Sequence, residues 1–164
     1  MAASQKSKSS KLPLPNNPLL SRWSSPFGAP PFSRIQPQHY QPAFKHALAE
    51  HRSEIREIAA SAAHPTFANT IRALEKGGTL LNKVAEVFFN LTAAHTNEAL
   101  QSIERDLAPK LSDHHSAILL NGRLFKRIDD LFQRRAKIKL TDEEARVLER
   151  THTAFVRAGA KLAP

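Results

Sequence analysis

Apolar residues recur at every third or fourth position through most of this chain, the spacing of helices with one buried face. Phe44, Leu48, His51, Ile55 and Ile58 fall at i, +4, +7, +11 and +14, a single stripe. Pro42 suits the first helical position, where its missing N–H would be unpaired anyway. His64-Pro65 marks the end, since a residue before proline avoids the α region. Thr66 then reads as the N-cap of a second helix carrying Phe67, Ile71, Leu74, Leu81, Val84, Phe88 and Leu91. Gly77-Gly78 falls in the middle of it, each glycine costing about 1 kcal/mol against alanine. Either the helix breaks there or another element packs closely on those glycines. Because the apolar register continues across the pair, the pattern predicts one long helix, bent or loosened at that point.

A third helix is predicted from Asn97, with Leu100, Ile103, Leu107 and Leu111 on its face and a kink at Pro109. Asn121-Gly122 predicts a turn before a helix over 123–138. Thr141-Asp-Glu-Glu144 is a capping box opening the last helix, whose apolar face is Ala145, Leu148, His152, Phe155 and Val156. No stretch of four or more residues alternates convincingly with period two. The predicted fold class is all-α, about five helices in antiparallel hairpins.

Ahead of the helices stands PFGAPPFSRIQPQHYQPAF, residues 26–44, with five prolines, four aromatics and no acid. Its prolines are spaced four, one, six and five apart, so it lacks the three-residue repeat of a polyproline ligand. The expectation is an ordered strap on the helical body, with Phe27, Phe32, Ile35, Tyr40 and Phe44 as anchors and Pro37–Gln41 a short turn feeding the first helix. Residues 1–16 read as a disordered basic lead and 17–164 as one helical domain.

Charge and composition narrow the functional classes. The formal net charge is +9, and residues 1–40 carry five bases and no acid. A second basic stretch, GRLFKRIDDLFQRRAKIK (122–139), holds seven bases against two acids, but its apolar residues have helical spacing, so it reads as a solvated helix face. Nucleic-acid binding through Lys6, Lys8, Lys11 and that patch is a minor alternative. There is no cysteine, which excludes a disulfide framework, a thiolate metal site or a cysteine nucleophile. No apolar run approaches a membrane span, and the opening residues lack a secretory core. A cytoplasmic location is expected.

The candidate chemistry is sparse. No two histidines stand four apart around a glutamate, as a zinc-protease helix requires. His46, Glu50 and Glu54 align at i, +4 and +8 and could hold a divalent ion, but an exposed charged face is the expectation. His51 lies on the apolar stripe and reads as a core histidine hydrogen-bonded to its neighbours. His114 and His115 point about 100° apart on a helix. Asp113, His114 and Ser116 lie too close in sequence for a nucleophile–base–orienter geometry. No catalytic, cofactor-binding or metal residue is assigned within 1–164.

The blocks NPLLSRWSSPFGAPPFSRIQPQHYQPAF (17–44), HPTFANTIRALEKGG (64–78), VFFNLTAAHTN (87–97), LQSIERDLAPKLSDHHSAILLNGRLFKRID (100–129) and LTDEEARVLERTHTAFVRAGAKL (140–162) together resemble, in order, the thimet-oligopeptidase-like zinc metallopeptidases. Within them they are similar to the dipeptidyl carboxypeptidase (peptidyl-dipeptidase) and oligopeptidase A branch. The resemblance implies a far larger, almost wholly helical enzyme whose two lobes flank a narrow channel that admits short peptides. Its zinc and general base would lie on an H-E-x-x-H helix that no position here matches. The segment would be the N-terminal helical region, with the missing chain on its C-terminal side. Expected partners are the remainder of its own polypeptide and the short peptide substrates of the parent, which would release C-terminal dipeptides from them; apolar faces left uncovered would favour self-association. The alternative is a non-enzymatic helical interaction module.

Overall fold

The computed structural model describes residues 16–162, so nearly all of the basic lead lies outside the described residues. Helix α1 spans Pro37–Ala60, followed by a π-helical turn Phe67–Arg72 that runs into a four-residue α2, Ala73–Lys76. Then come α3 (Thr79–Ala94), α4 (Glu98–Leu119), α5 (Gly122–Gln133) and α6 (Asp142–Arg157). Among the described residues there is no strand, and the all-α expectation holds.

Two apolar clusters form the core, and α1 belongs to both. Its first half gives Tyr40, Phe44 and Leu48 to a cluster with Leu19, Val84, Phe88, Leu100 and Leu107. Its last turns give Ile55 to a cluster with Ile71, Leu124, Ile128, Leu131, Leu148 and Phe155. Each fully buried Leu, Ile or Phe contributes about 1.5–3 kcal/mol of transfer free energy. Phe88 meets the edges of Tyr40 and Phe44 at centroid distances of 4.9 and 5.5 Å, an edge-to-face geometry that aromatic quadrupoles favour. The helical stripes read from the sequence are buried as expected, except that Ala145 is exposed, because the second cluster meets α6 only from Val147 and Leu148 onward.

Helix boundaries depart from the sequence reading where side chains cap the backbone. Helix α1 opens at Pro37, not Pro42, because the Gln36 N–H donates to His39 Nδ1 at 2.9 Å and completes a cap there. Pro42 therefore sits inside α1, where the Gln38 carbonyl loses its i+4 donor. At the other end α1 stops at Ala60, four residues before His64. The buried Arg127 of α5 donates from Nη1 to the Ser61 and Ala63 carbonyls at 2.8 and 3.0 Å. Its Nη2 donates to Asn69 Oδ1 and Thr70 Oγ1 at 3.1 and 3.3 Å. One guanidinium thus ties the end of α1, the π-helical turn and α5 together.

Two predicted caps hold, and one predicted boundary moves. Thr66 accepts from the Asn69 N–H at 3.1 Å as N-cap, and Thr141 and Glu144 form the reciprocal capping box. Helix α4 runs through Pro109. Helix α5 ends at Gln133 rather than 138: a 3-10 turn, Arg135–Lys137, follows, and extended backbone lays Ile138 and Leu140 onto the second cluster.

The strap is only partly as expected. Asn17, Pro18 and Leu19 are buried, with Asn17 Nδ2 donating to the His39 carbonyl at 2.7 Å. Trp23 lies on the first cluster, its Nε1 donating to the Pro18 carbonyl at 2.8 Å, and Ile35 packs beside it. Phe27 and Phe32, expected as anchors, instead face outward, 109% and 53% exposed. Short 3-10 turns at Pro26–Gly28 and Phe32–Arg34 carry them away from the body.

Replacing Arg127 with Met should lower the unfolding free energy by about 1–3 kcal/mol, since it removes a charged donor from part-buried carbonyls and from Asn69 and Thr70. Arg127→Lys should recover only part of the loss, because an ammonium lacks the guanidinium's fork. Urea denaturation of the three proteins checks both, and equal midpoints would show that water serves those carbonyls as well.

Candidate functional site

The two apolar clusters meet at a polar seam, and three chain segments cross it. In α1 it falls between Leu48 and Ile55, in α4 between Leu111 and Ile118, and between α2 and α3 it coincides with Gly77-Gly78. His51 Nδ1 and His114 Nε2 stand 3.0 Å apart, with one ring donating to the other. Their ring planes are inclined at 62°, with centroids 4.9 Å apart. Glu54 turns into the seam and accepts the Gly78 N–H at 2.7 Å.

This seam explains the glycine pair. Gly77 is extended and Gly78 left-handed at φ 71, so the helix breaks there and the single long helix expected from the register is corrected. The register survives because the break places α3 back against the same face of α1. A Cβ on Gly78 would lie 2.8 Å from His51 Cε1 and 2.9 Å from Nδ1, inside van der Waals contact. The break and the close approach, posed as alternatives by the sequence, are both present.

The titration of the seam follows from its burial. Desolvation lowers the His51 pKa from 6.5, against a smaller raising effect of Glu54. Desolvation also lowers that of His114, helped by the nearby positive charges of His51, Arg52 and His115 when those groups are protonated. Buried His39 is shifted down by desolvation as well, and its Nδ1 is an acceptor that protonation would remove. Burial thus favours the neutral imidazole at each of these positions.

The other flagged residues do not assemble. His46 Nε2 lies 3.6 Å from Glu50 Oε2 on an exposed face, while Glu54 is engaged by Gly78, so the three do not converge. His114 faces inward, whereas Asp113, His115 and Ser116 are exposed. His152 stacks on Phe132 at 3.9 Å, with Nε2 2.9 Å from Asp129 Oδ1. The 122–139 stretch is not simply a solvated face: Arg127 is buried, Arg134 is held by Asp130 and the Pro65 carbonyl, and Arg135 lies over the Phe132 ring. The remaining bases, Arg123, Lys126, Lys137 and Lys139, are exposed. Sequence reasoning missed Arg127 and Asn17, whose partners lie 57 and more, and 22, positions away. Among the described residues no three of His, Asp and Glu gather as metal ligands, and no helix is long and apolar enough to cross a membrane.

Two tests address the seam. Gly78→Ala should destabilise on the order of 2 kcal/mol, combining left-handed strain with the His51 contact, as read by thermal unfolding. The pH dependence has a fixed sign. Histidines with a lowered folded pKa stabilise fully above 6.5, and that stability is lost as pH falls below it, because the unfolded chain takes up protons first. The melting temperature should therefore fall between pH 7.5 and pH 5, and His114→Gln should shrink the fall. An unchanged difference in the variant would remove His114 as a source.

No family model matches the chain. It is 45% identical over 147 residues to the dipeptidyl carboxypeptidase of Escherichia coli K12, which covers 90% of this chain and 22% of that protein. The dipeptidyl carboxypeptidase of Salmonella typhimurium LT2 is 44% identical over the same length. Oligopeptidase A of Escherichia coli K12 is 29% identical over 115 residues, 70% of this chain and 16% of that protein. The chain thus spans about a fifth of the length of the relatives it matches. Over nearly all of its own length it is thus similar to part of these dipeptidyl carboxypeptidases and, at lower identity, to part of oligopeptidase A.

Proposed function

We propose that this chain is the N-terminal helical domain of a cytoplasmic, zinc-dependent peptidyl-dipeptidase that releases dipeptides from the C-termini of oligopeptides. The observation that carries this reading is the 45% identity to a dipeptidyl carboxypeptidase over 90% of the chain. Agreement at that level along a continuous helical body favours a shared domain over a borrowed motif.

Within the parent, the domain's work is architectural. Two apolar clusters on one shared helix give a stiff body, suited to form part of a lobe and one wall of a channel. A channel of fixed width excludes folded proteins and admits extended peptides, which is how an enzyme limits itself to short substrates. The metal does not fit this segment. His51 pairs with His114, His152 with Asp129 and His46 with Glu50, and no third ligand joins any of these pairs among the described residues. Zinc ligands and the general base are therefore assigned to the polypeptide beyond this segment, and no chemical step is assigned to residues 16–162.

Intact-mass measurement and peptide assay of the protein from its native source test the proposal. The expected result is a mass several times 18.2 kDa, with chelator-sensitive release of dipeptides from N-blocked peptides. The 164-residue chain alone should leave the same peptides intact. A native mass of 18.2 kDa would overturn the reading in favour of a separate helical interaction module.

A further inference from the structure

Phe27 is the most exposed large apolar side chain among the described residues, at 109% of its reference area. Its backbone is left-handed, φ 59 and ψ 14, the only non-glycine residue described with positive φ. For a bulky aromatic both features are unfavourable: the conformation is a rare outlier, and the ring gains nothing from facing water. The turn is nevertheless specified on both sides. The Gly28 N–H donates to the Ser25 carbonyl at 3.0 Å and the Ala29 N–H to the Pro26 carbonyl at 3.2 Å. Phe32, five residues on, is also outward, and Pro26, Pro30 and Pro31 stiffen the span between the Trp23 and Ile35 contacts.

We infer that the Pro26–Arg34 segment is a preformed docking strap, with Phe27 and Phe32 inserting into an apolar, acid-rimmed surface on the remainder of the same polypeptide. This rests on the proposed function, because the occupant is the part of a dipeptidyl carboxypeptidase-length chain that lies beyond these 164 residues. Two observations select that occupant. The chain covers only 22% of its dipeptidyl carboxypeptidase relatives, so a domain of this kind has a large covalently attached neighbour to meet. Residues 16–49 also contain Arg22, Arg34 and Lys45 and no acid, which asks for an acidic complement. A second copy of this domain supplies that complement poorly, since the chain itself carries +9. The strained turn then has a purpose: a ring held outward in advance loses little conformational entropy on docking.

Hydrogen exchange by mass spectrometry on two proteins tests this, the 164-residue chain and the full polypeptide from the native coding region. Amides of residues 27–35 should exchange at least about tenfold more slowly in the full polypeptide, equivalent to ~1.4 kcal/mol of local protection. Phe27→Gly, which keeps the left-handed backbone, should abolish that protection in the full polypeptide without changing exchange in α1 or α5. In the 164-residue chain the same substitution should leave the melting temperature unchanged or raised. Equal exchange in the two wild-type proteins overturns the inference even if the full polypeptide hydrolyses peptides. Protection that appears in the 164-residue chain with rising concentration overturns it in favour of self-association. Protection without peptidase activity would leave the docking strap standing and remove the proposed activity.

Discussion

Helix α1 is the member on which everything else is registered. Its 24 residues present one stripe, but the stripe is read by two different sets of partners. Tyr40 to Leu48 belong to the cluster with α3, the first half of α4 and the residues around Leu19, while Ile55 and Ile58 belong to the cluster that holds the π-helical turn, α5 and α6. A single rigid rod through two cores couples them mechanically, because a shift of either end moves the contacts of the other. That is why its ends are fixed by specific polar contacts: the His39 cap at one and the Arg127 fork at the other.

Between the cores the rod must present something other than a large apolar group. His51 and His114 fill that position, sharing one hydrogen bond and leaving the left-handed Gly78 just enough room. A polar seam of this kind costs packing energy but specifies alignment, since the Glu54–Gly78 and His51–His114 hydrogen bonds form only when α1, α3 and α4 are in register. The result is a seam that fixes the relative position of the two cores.

The strap shows the opposite balance. Its two ends are tied to the first core through Asn17, Leu19, Trp23 and Ile35, while its middle holds two phenylalanines in water. In a free-standing protein those rings would turn inward wherever the chain allowed. The proline spacing and the left-handed turn at Phe27 prevent it. Stiffness that holds an apolar group away from its own core belongs to a surface built to meet another.

The sequence by itself determined the helical class, the apolar stripes, two of the caps and the kinship, because each depends on spacing within a few turns or on residue order. It also marked Gly77-Gly78 and His51 as unusual positions. Tertiary structure alone decided that the helix breaks at Gly78, that α1 begins five residues early at Pro37, that Arg127 is buried, and that Phe27 and Phe32 turn outward. Each of these depends on a partner brought close only by folding: His51 and Glu54 for the glycines, His39 for the cap, and the Ser61 and Ala63 carbonyls for the arginine. Periodicity records which side of a helix is apolar. Which neighbour that side meets, and which polar group must be satisfied there, is a property of the packed chain.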